Sequence, residues 1–509
     1  MNNTMNHWKK EHSEIIDQRE CKLPPTWVME SDPQFERVEA IYEVFQSGPM
    51  REIAEQIVRM TQRAHQMVVL SSFLLADREI EDALLAASHR GIRVYVMLAS
   101  ETRLENDDSE ESFDKHVIKQ HKEMLSRLSG HVLFRSAPQF HAKVVLADPF
   151  TSDSSGLLLT ANLTEAALER NPELAVELNL AEVERVAKLL RWAMWESAAH
   201  EKAGPEEQFR PVKPLGVVDY PELGSEIVAT TEKEQGIFRC VLSVIDSATE
   251  ELLVSSFGWD ANHPVVQRLC ERAREGLKVT ILARKRPASM PALIALREAG
   301  ATVFAYRWLH AKAIWADSGQ SVVMSANLQS HGLDNGFEIG VHLSDSRSEW
   351  LREHLEDWIS QAPASLELAP LVGSLAGKVE VWSQGKFTEV DVCEREDINL
   401  GTHQSESADD LEYRPDFPRR PSIPSAHQLH FHWEVTAPLL SPMSKLQHRK
   451  EKDKSNNAIP FALPVFKEPG GRKVVAIETP EQLPEAKSVK AIAQAAAVVI
   501  DAERLRHDN

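Results

Sequence analysis

Twice in this chain a histidine and a lysine, two positions apart, open an apolar run. His141 and Lys143 do so in FHAKVVLADPF (140–150), and His310 and Lys312 in LHAKAIWADSG (309–319). Asp148 and Asp317 close the two runs, and the elements TAN and SAN follow with Asn162 and Asn327. Glu173 and Glu338 stand eleven residues beyond the asparagines in both cases. Side chains two apart on an extended segment share a face, so each histidine projects together with its lysine. Two such half-sites facing each other offer two imidazoles, two ammonium groups and two carboxamides, with the Thr160 and Ser325 hydroxyls beside them. That is a pocket for a phosphodiester anion. Lysines and asparagines can hold the non-bridging oxygens and stabilise a pentacoordinate state. One imidazole can attack phosphorus while the other protonates the leaving oxygen. Each imidazole needs an acceptor that fixes its tautomer, for which the glutamates are candidates. The lysines supply the positive charge, so the reading calls for no metal and no cofactor.

The elements that must position these residues are also duplicated. MVVLSSFLLADREIEDALLAASHRGIRVYVML (67–98) aligns with ELLVSSFGWDANHPVVQRLCERAREGLKVTIL (251–282). Both give a short apolar strand ending in Ser-Ser-Phe, an amphipathic helix with apolar residues at three- and four-residue spacing, then a second strand. LSGHVLFRSAPQFHAKVVLAD matches REAGATVFAYRWLHAKAIWAD, and both copies close on Trp-bearing helices carrying Trp192, Trp195, Trp350 and Trp358. The acidic stretch ETRLENDDSEESFDK (101–115) in the first copy accounts for much of the drift in spacing and reads as a solvated insertion. Alternating strands and helices predict an α/β fold, with an extension at 1–50, repeats at 51–200 and 231–361, a linker at 201–230 and a β-containing region at 362–509. Within that last region GKVEVWSQGKFTEVDV reads as a hairpin, the Pro-rich and basic stretches as flexible, and the end of the chain as a helix.

His-x-Lys, four residues and Asp, then Ser/Thr-x-Asn, resembles the HKD signature of the phospholipase D superfamily, here present twice over about residues 50–362. The resemblance implies two tandem phospholipase D-like α/β/α domains forming a pseudo-dimer around one active site. It implies a phosphohistidine intermediate, with His141 and His310 as nucleophile and general acid in an order the sequence leaves open. Lys143, Lys312, Asn162 and Asn327 would bind phosphate with Thr160 and Ser325 beside them. Glu173 and Glu338 would orient the opposing histidines. The motif aspartates Asp148 and Asp317 would be structural. The family commonly has Gly-Ser before x-Asn, where this chain has Leu159-Thr160 and Met324-Ser325.

A single His-x-Lys-x4-Asp is weak, but two copies inside matching repeats are hard to attribute to packing. A degenerate, non-catalytic relative would normally lose a histidine or a lysine, and neither copy has. The HQLHFHW stretch (427–433) puts His430 and His432 on one face of a strand; a half-exposed strand is favoured over a metal site there. The Ser-Ser-Phe stretches at 71–73 and 255–257 are read as strand termini ahead of a hydroxyl contribution to the site, and the tryptophans as core.

The superfamily includes phospholipases, phosphatidyl transferases and nucleases, so fold and motif leave the substrate open. A formal charge of −20 opposes adhesion to anionic bilayers. No run of about 18 apolar residues predicts a membrane span, and the first twenty residues lack the apolar core of a signal peptide. Four scattered cysteines fit a reducing cytoplasm. The expectation is therefore a cytoplasmic, metal-independent nuclease with nucleic acid as substrate, DNA favoured. By analogy with the family it would serve DNA processing or antiviral defence, and so acidic a chain is compatible with a helicase-like protein partner. A phospholipase or phosphatidyltransferase is the first alternative, a non-catalytic nucleic-acid-binding subunit the second. Oligomeric state stays open, because both motifs lie in one chain.

Overall fold

The computed structural model describes residues 22–29, 44–48, 50–100, 104, 115–204, 208–375 and 377–392, with two short strands at Val465–Lys467 and Lys473–Val475. HQLHFHW, the Pro-rich and basic stretches, the terminal helix and nearly all of the acidic insertion lie outside the described residues. The chain forms two compact units, one of residues 33–362 and one drawn from residues 1–32 and 363–509.

The larger unit contains two sheets of one topology. In the first, β1 (Val44–Gln46), β2 (Met67–Ser72), β3 (Arg93–Ala99), β4 (Leu133–Ala137), β5 (Val144–Ala147), β6 (Ser155–Leu159) and β7 (Leu174–Leu178) take the order β4-β3-β2-β5-β6-β7-β1. The second uses β8 (Ile227–Thr230), β9 (Glu251–Ser256), β10 (Lys278–Arg284), β11 (Thr302–Tyr306), β12 (Ala313–Ala316), β13 (Ser321–Met324) and β14 (Glu338–Leu343) in the matching order β11-β10-β9-β12-β13-β14-β8. Three strands in each sheet run parallel and the rest antiparallel. The chain thus folds as tandem α/β domains, the arrangement expected from the repeats. Both edge strands, β1 and β8, come from stretches assigned by sequence to the extension and the linker. At three and four residues they are too short to show an alternation pattern.

The strands that carry the histidine motifs read as unbroken apolar runs because both of their faces are buried. Along β5, Val144 and Leu146 join one core cluster while Val145 and Ala147 join another. The second of these clusters packs the sheet against helices α1 (Glu52–Arg63), α2 (Arg78–His89) and α3 (Lys115–Leu128) through Ile53, Ile57, Ile80, Leu84, Met124 and Leu125. The first cluster is shared by both repeats. It holds Val144, Leu146, Ala313 and Trp315 together with the helices α4 (Leu180–Trp192) and α8 (Asp345–Ser360). Trp192 and Trp358 are buried there and Trp195 and Trp350 pack against it, so these rings serve the core.

Polar bonds fix the same interface. Asn179 caps α4 in a capping box with Glu182. The fully buried Glu182 carboxylate also takes a two-pronged bond from Arg347 of the second repeat, at 2.9 and 2.7 Å. Such a pair sets geometry more than it adds stability, and here it ties the first turn of α4 to that of α8.

In the smaller unit Thr26–Met29 lies between Ala364–Glu367 and Gly377–Ser383, antiparallel to both. Lys386–Val392 completes a hairpin with Gly377–Ser383. Its two-residue turn, Gln384-Gly385, has φ of 51° and 80°, the left-handed pair that matches strand twist.

Candidate active site

His141 and Lys143 precede β5, and His310 and Lys312 precede β12, at the end of each sheet where the parallel strands finish. In an open α/β sheet this end is left accessible for a ligand. Backbone bonds between the repeats fix the register. His141 N–H donates to Phe337 C=O (3.0 Å), Phe337 N–H donates to Gln139 C=O (2.7 Å), and the Phe140 and Phe337 rings stack at 4.7 Å. On the other side His310 N–H and Ala311 N–H both donate to Pro172 C=O, at 3.0 and 2.9 Å. Phe337 and Pro172 directly precede Glu338 and Glu173, so the main-chain clamp sets each glutamate against the histidine of the other repeat.

The side chains follow that register. His141 Nδ1 is 2.7 Å from Glu338 Oε1, and His310 Nδ1 is 2.8 Å from Glu173 Oε1. In His141 the Nδ1–H donates to the Glu338 carboxylate, so Nε2 carries the lone pair, while His310 Nδ1 and Glu173 are in ion-pair contact. Lys143 Nζ lies 3.0 Å from His141 Nε2 and donates to His141 C=O at 2.8 Å. Lys312 Nζ sits 3.0 and 3.1 Å from the two ring nitrogens of His310 and donates to its C=O at 2.6 Å. The lysine therefore shares the face of its histidine, as the two-residue spacing requires.

All six of these charged and imidazole-bearing positions are nearly closed to solvent. His141 and His310 are 2% and 4% exposed, while both lysines are fully buried. Burial works against the charge on Glu173 and Glu338. The facing imidazole, the lysine beside it and a hydroxyl outweigh that penalty and hold both carboxyls below the usual glutamate range.

Those hydroxyls correct one expectation. Thr160 and Ser325 were expected to face phosphate, yet Thr160 Oγ1 donates to Glu173 Oε2 at 2.7 Å and Ser325 Oγ donates to Glu338 Oε2. Each also accepts a backbone N–H, from Leu174 at 2.8 Å and from Ile339 at 3.1 Å. Their bonding capacity goes to anchoring the glutamates inside their own sheets. Asn162 and Asn327 come two residues later and are buried, at 7% and 8% exposure.

The aspartates sit at the far ends of β5 and β12. Asp148 accepts backbone N–H bonds from His65, Gln66 and Met67 at 2.7, 2.7 and 2.9 Å. Asp317 accepts from Thr249 N–H, Thr249 Oγ1 and Glu250 N–H at 2.8, 2.6 and 2.9 Å. Both pin the turn that leads into the first strand of the repeat, and these bonds outweigh partial burial to lower both carboxyl pKa values.

Two residues of the site went unassigned in the sequence. Phe73 and Phe257, the last residues of Ser-Ser-Phe, meet the edges of His141 and His310 with centroids 5.1 and 4.9 Å apart and interplanar angles of 68° and 67°. Lys143 and Lys312 stand over the same rings at 6.0 and 5.7 Å. The signal was there in the recurrence of phenylalanine at one position of both repeats. The serine hydroxyls beside them bond backbone: Ser72 to Leu74 C=O, Ser256 to Gly258 C=O and Ser255 to Ala311 C=O. Among the described residues no three His, Cys, Asp or Glu side chains gather as a metal-binding group.

Each histidine is thereby set against a carboxylate of the other repeat, with the lysine of its own motif beside it.

A family model described as "Cardiolipin synthase, PLD-like domain" matches residues 57–195 and 241–360, which contain both histidines, lysines, asparagines and glutamates of the site. Among solved structures, a phosphatidylserine synthase from Haemophilus influenzae Rd KW20 is 12% identical, with a TM-score of 0.46, over 72% of this chain and 92% of that one. A polyphosphate kinase from Porphyromonas gingivalis is 13% identical, with a TM-score of 0.42, over 64% of this chain; the match spans 50% of that enzyme. Nuc from Salmonella typhimurium, a phospholipase D family member, is 21% identical over 27% of this chain and 96% of that one, with a TM-score of 0.25. No curated protein sequence matches the chain.

Proposed function

The chain belongs to the phospholipase D superfamily, with the PLD-like domain present in two segments, and on that premise we propose that it is a metal-independent nuclease working through a phosphohistidine. The Nε2 lone pair of one histidine attacks phosphorus. A P–N bond forms as the P–O bond to the leaving group breaks, and the second imidazole, which starts as the imidazolium, gives its Nε2 proton to the departing oxygen. That imidazole then takes a proton from water, whose oxygen attacks phosphorus, breaks the P–N bond and frees the first histidine. Lys143, Lys312, Asn162 and Asn327 hold the non-bridging oxygens throughout. Glu173 and Glu338 keep the tautomers and stabilise whichever imidazole is cationic.

The observation that carries this reading is the crossed pairing, His141 with Glu338 and His310 with Glu173. It supports a single composite site drawn from both repeats, with a carboxylate beside each imidazole. Nucleic acid is favoured over lipid as the diester because the chain carries a formal charge of −20, which is repelled by anionic bilayers. Among the described residues no helix is long and apolar enough to cross a membrane.

End-labelled single- and double-stranded DNA and RNA, incubated in excess EDTA beside vesicles of phosphatidylcholine and cardiolipin, separate the readings. EDTA-resistant cutting of nucleic acid is expected. Hydrolysis of the phospholipids with no cutting of nucleic acid would assign the site to lipid instead.

A further inference from the structure

The two halves of the site differ in what surrounds them. Arg284, the last residue of β10, pairs with Tyr306 at the end of β11, four residues before His310. At the same ladder position of the first repeat Ala99 pairs with Ala137, four residues before His141. Arg284 thus stands where the first repeat has Ala99. By the same register Arg307 and Trp308 stand where the first repeat has Pro138 and Gln139. The neutral positions of one half are basic and aromatic in the other.

These side chains form a continuous layer that ends on the reacting histidine. The Arg284 guanidinium is 5.0 Å from the Trp308 ring and 5.1 Å from Phe257, and Arg286 lies 4.1 Å over Phe257. Phe257 in turn meets the edge of His310. Around Trp308 the guanidinium of Arg307 is 4.9 Å away and that of Arg170, from the first repeat, 3.8 Å. Arg284 and Arg286 are 3% and 8% exposed, so their charge is kept there at a desolvation cost. Trp308 is half-buried and Arg307 exposed. In so acidic a chain, cations and an aromatic face gathered on one side of the histidine pair have the composition of a single-strand groove, in which arginines follow phosphates and bases stack on rings.

We infer that the second repeat carries the strand-binding wall, where Trp308 stacks an unpaired base and Arg284, Arg286 and Arg307 take phosphates flanking the scissile one. The substrate is then single-stranded and is gripped on the His310 side. This inference rests on the nuclease reading above and deepens it. A base held in a duplex has both faces stacked and cannot use Trp308, so duplex is the poorer substrate.

The test compares three substrates: a labelled oligothymidylate, a duplex of equal length, and bis(p-nitrophenyl) phosphate, a diester with neither bases nor flanking phosphates. Trp308→Ala should lose about 10- to 100-fold more kcat/KM on the oligothymidylate than on the small diester, mostly in KM. Trp308→Phe should recover most of that difference. Arg307→Gln, at an exposed position, should lower the slope of log affinity against log salt by about one. Equal fractional losses on oligonucleotide and small diester, an unchanged salt slope, or wild-type cutting of duplex as fast as single strand would overturn the wall. Wild type that hydrolyses the small diester but cuts no nucleic acid would instead sink the nuclease reading, and the wall with it. A selective loss on phospholipid vesicles in Trp308→Ala would give the wall to lipid.

Discussion

His141→Ala and His310→Ala should each reduce diester cleavage by about a million-fold, and the double variant should be no worse than either single one. Groups that act as a unit in covalent catalysis show such non-additivity, because removing the nucleophile already forfeits the whole pathway. Both histidines occupy equivalent positions, with the same glutamate contact, the same lysine and the same phenylalanine edge. If the two repeats housed separate sites, each single variant would keep about half of the wild-type rate, as the active-site count would only be halved. Rates on bis(p-nitrophenyl) phosphate, with purified protein whose melting curve is unchanged, decide between these outcomes.

The second large effect concerns the glutamates. Glu338→Gln keeps the volume and the Ser325 bond but replaces the carboxylate facing His141 with an amide, which no longer imposes the Nδ1–H tautomer. A loss of about 10⁴-fold in kcat is expected, by analogy with the orienting carboxylate of a catalytic triad. Glu173→Gln should do the same through His310. The crossing makes a sharper statement: in a His141→Ala background Glu338→Gln should cost nothing further, although the two residues belong to different repeats. Additional loss there would mean that Glu338 acts through some other group. Imidazole nitrogen NMR adds a readout that structural damage alone would not produce, since His141 in Glu338→Gln should show a changed tautomer balance with the His310 signals unmoved.

Much of this was legible in the sequence, for particular physical reasons. The strands after His141 and His310 could be read because burial on both faces demands continuous apolar residues, and α2, α4 and α8 because their single buried stripe imposes a helical period. The repeated His, Lys, Asn and Glu could be singled out because the His-Lys pair recurs at a spacing of two and the Asn-Glu pair at a spacing of eleven. The edge strands β1 and β8 were not, as a strand of three or four residues makes too few side-chain contacts to impose a pattern. Which way a hydroxyl points is also not encoded in spacing. Thr160 and Ser325 lie near enough to the asparagines to suggest phosphate, and only the fold brings Glu173 and Glu338 alongside them through the pairing of β6 with β7 and β13 with β14. Phe73 and Phe257 look like ordinary core residues until the histidines arrive from another strand. The asymmetry between Ala99 and Arg284 becomes meaningful only once their ladder partners are known.

The most direct test of the central claim is to trap the covalent state. Wild type should be mixed with a labelled diester, quenched in alkali within a single turnover and digested for mass spectrometry, with His141→Ala and His310→Ala alongside. The account predicts one phosphorylated histidine, at position 141 or 310, formed and lost at rates compatible with turnover and missing from the variant that lacks it. Full turnover with no phosphohistidine, or with the adduct on a residue outside this pair, would contradict it.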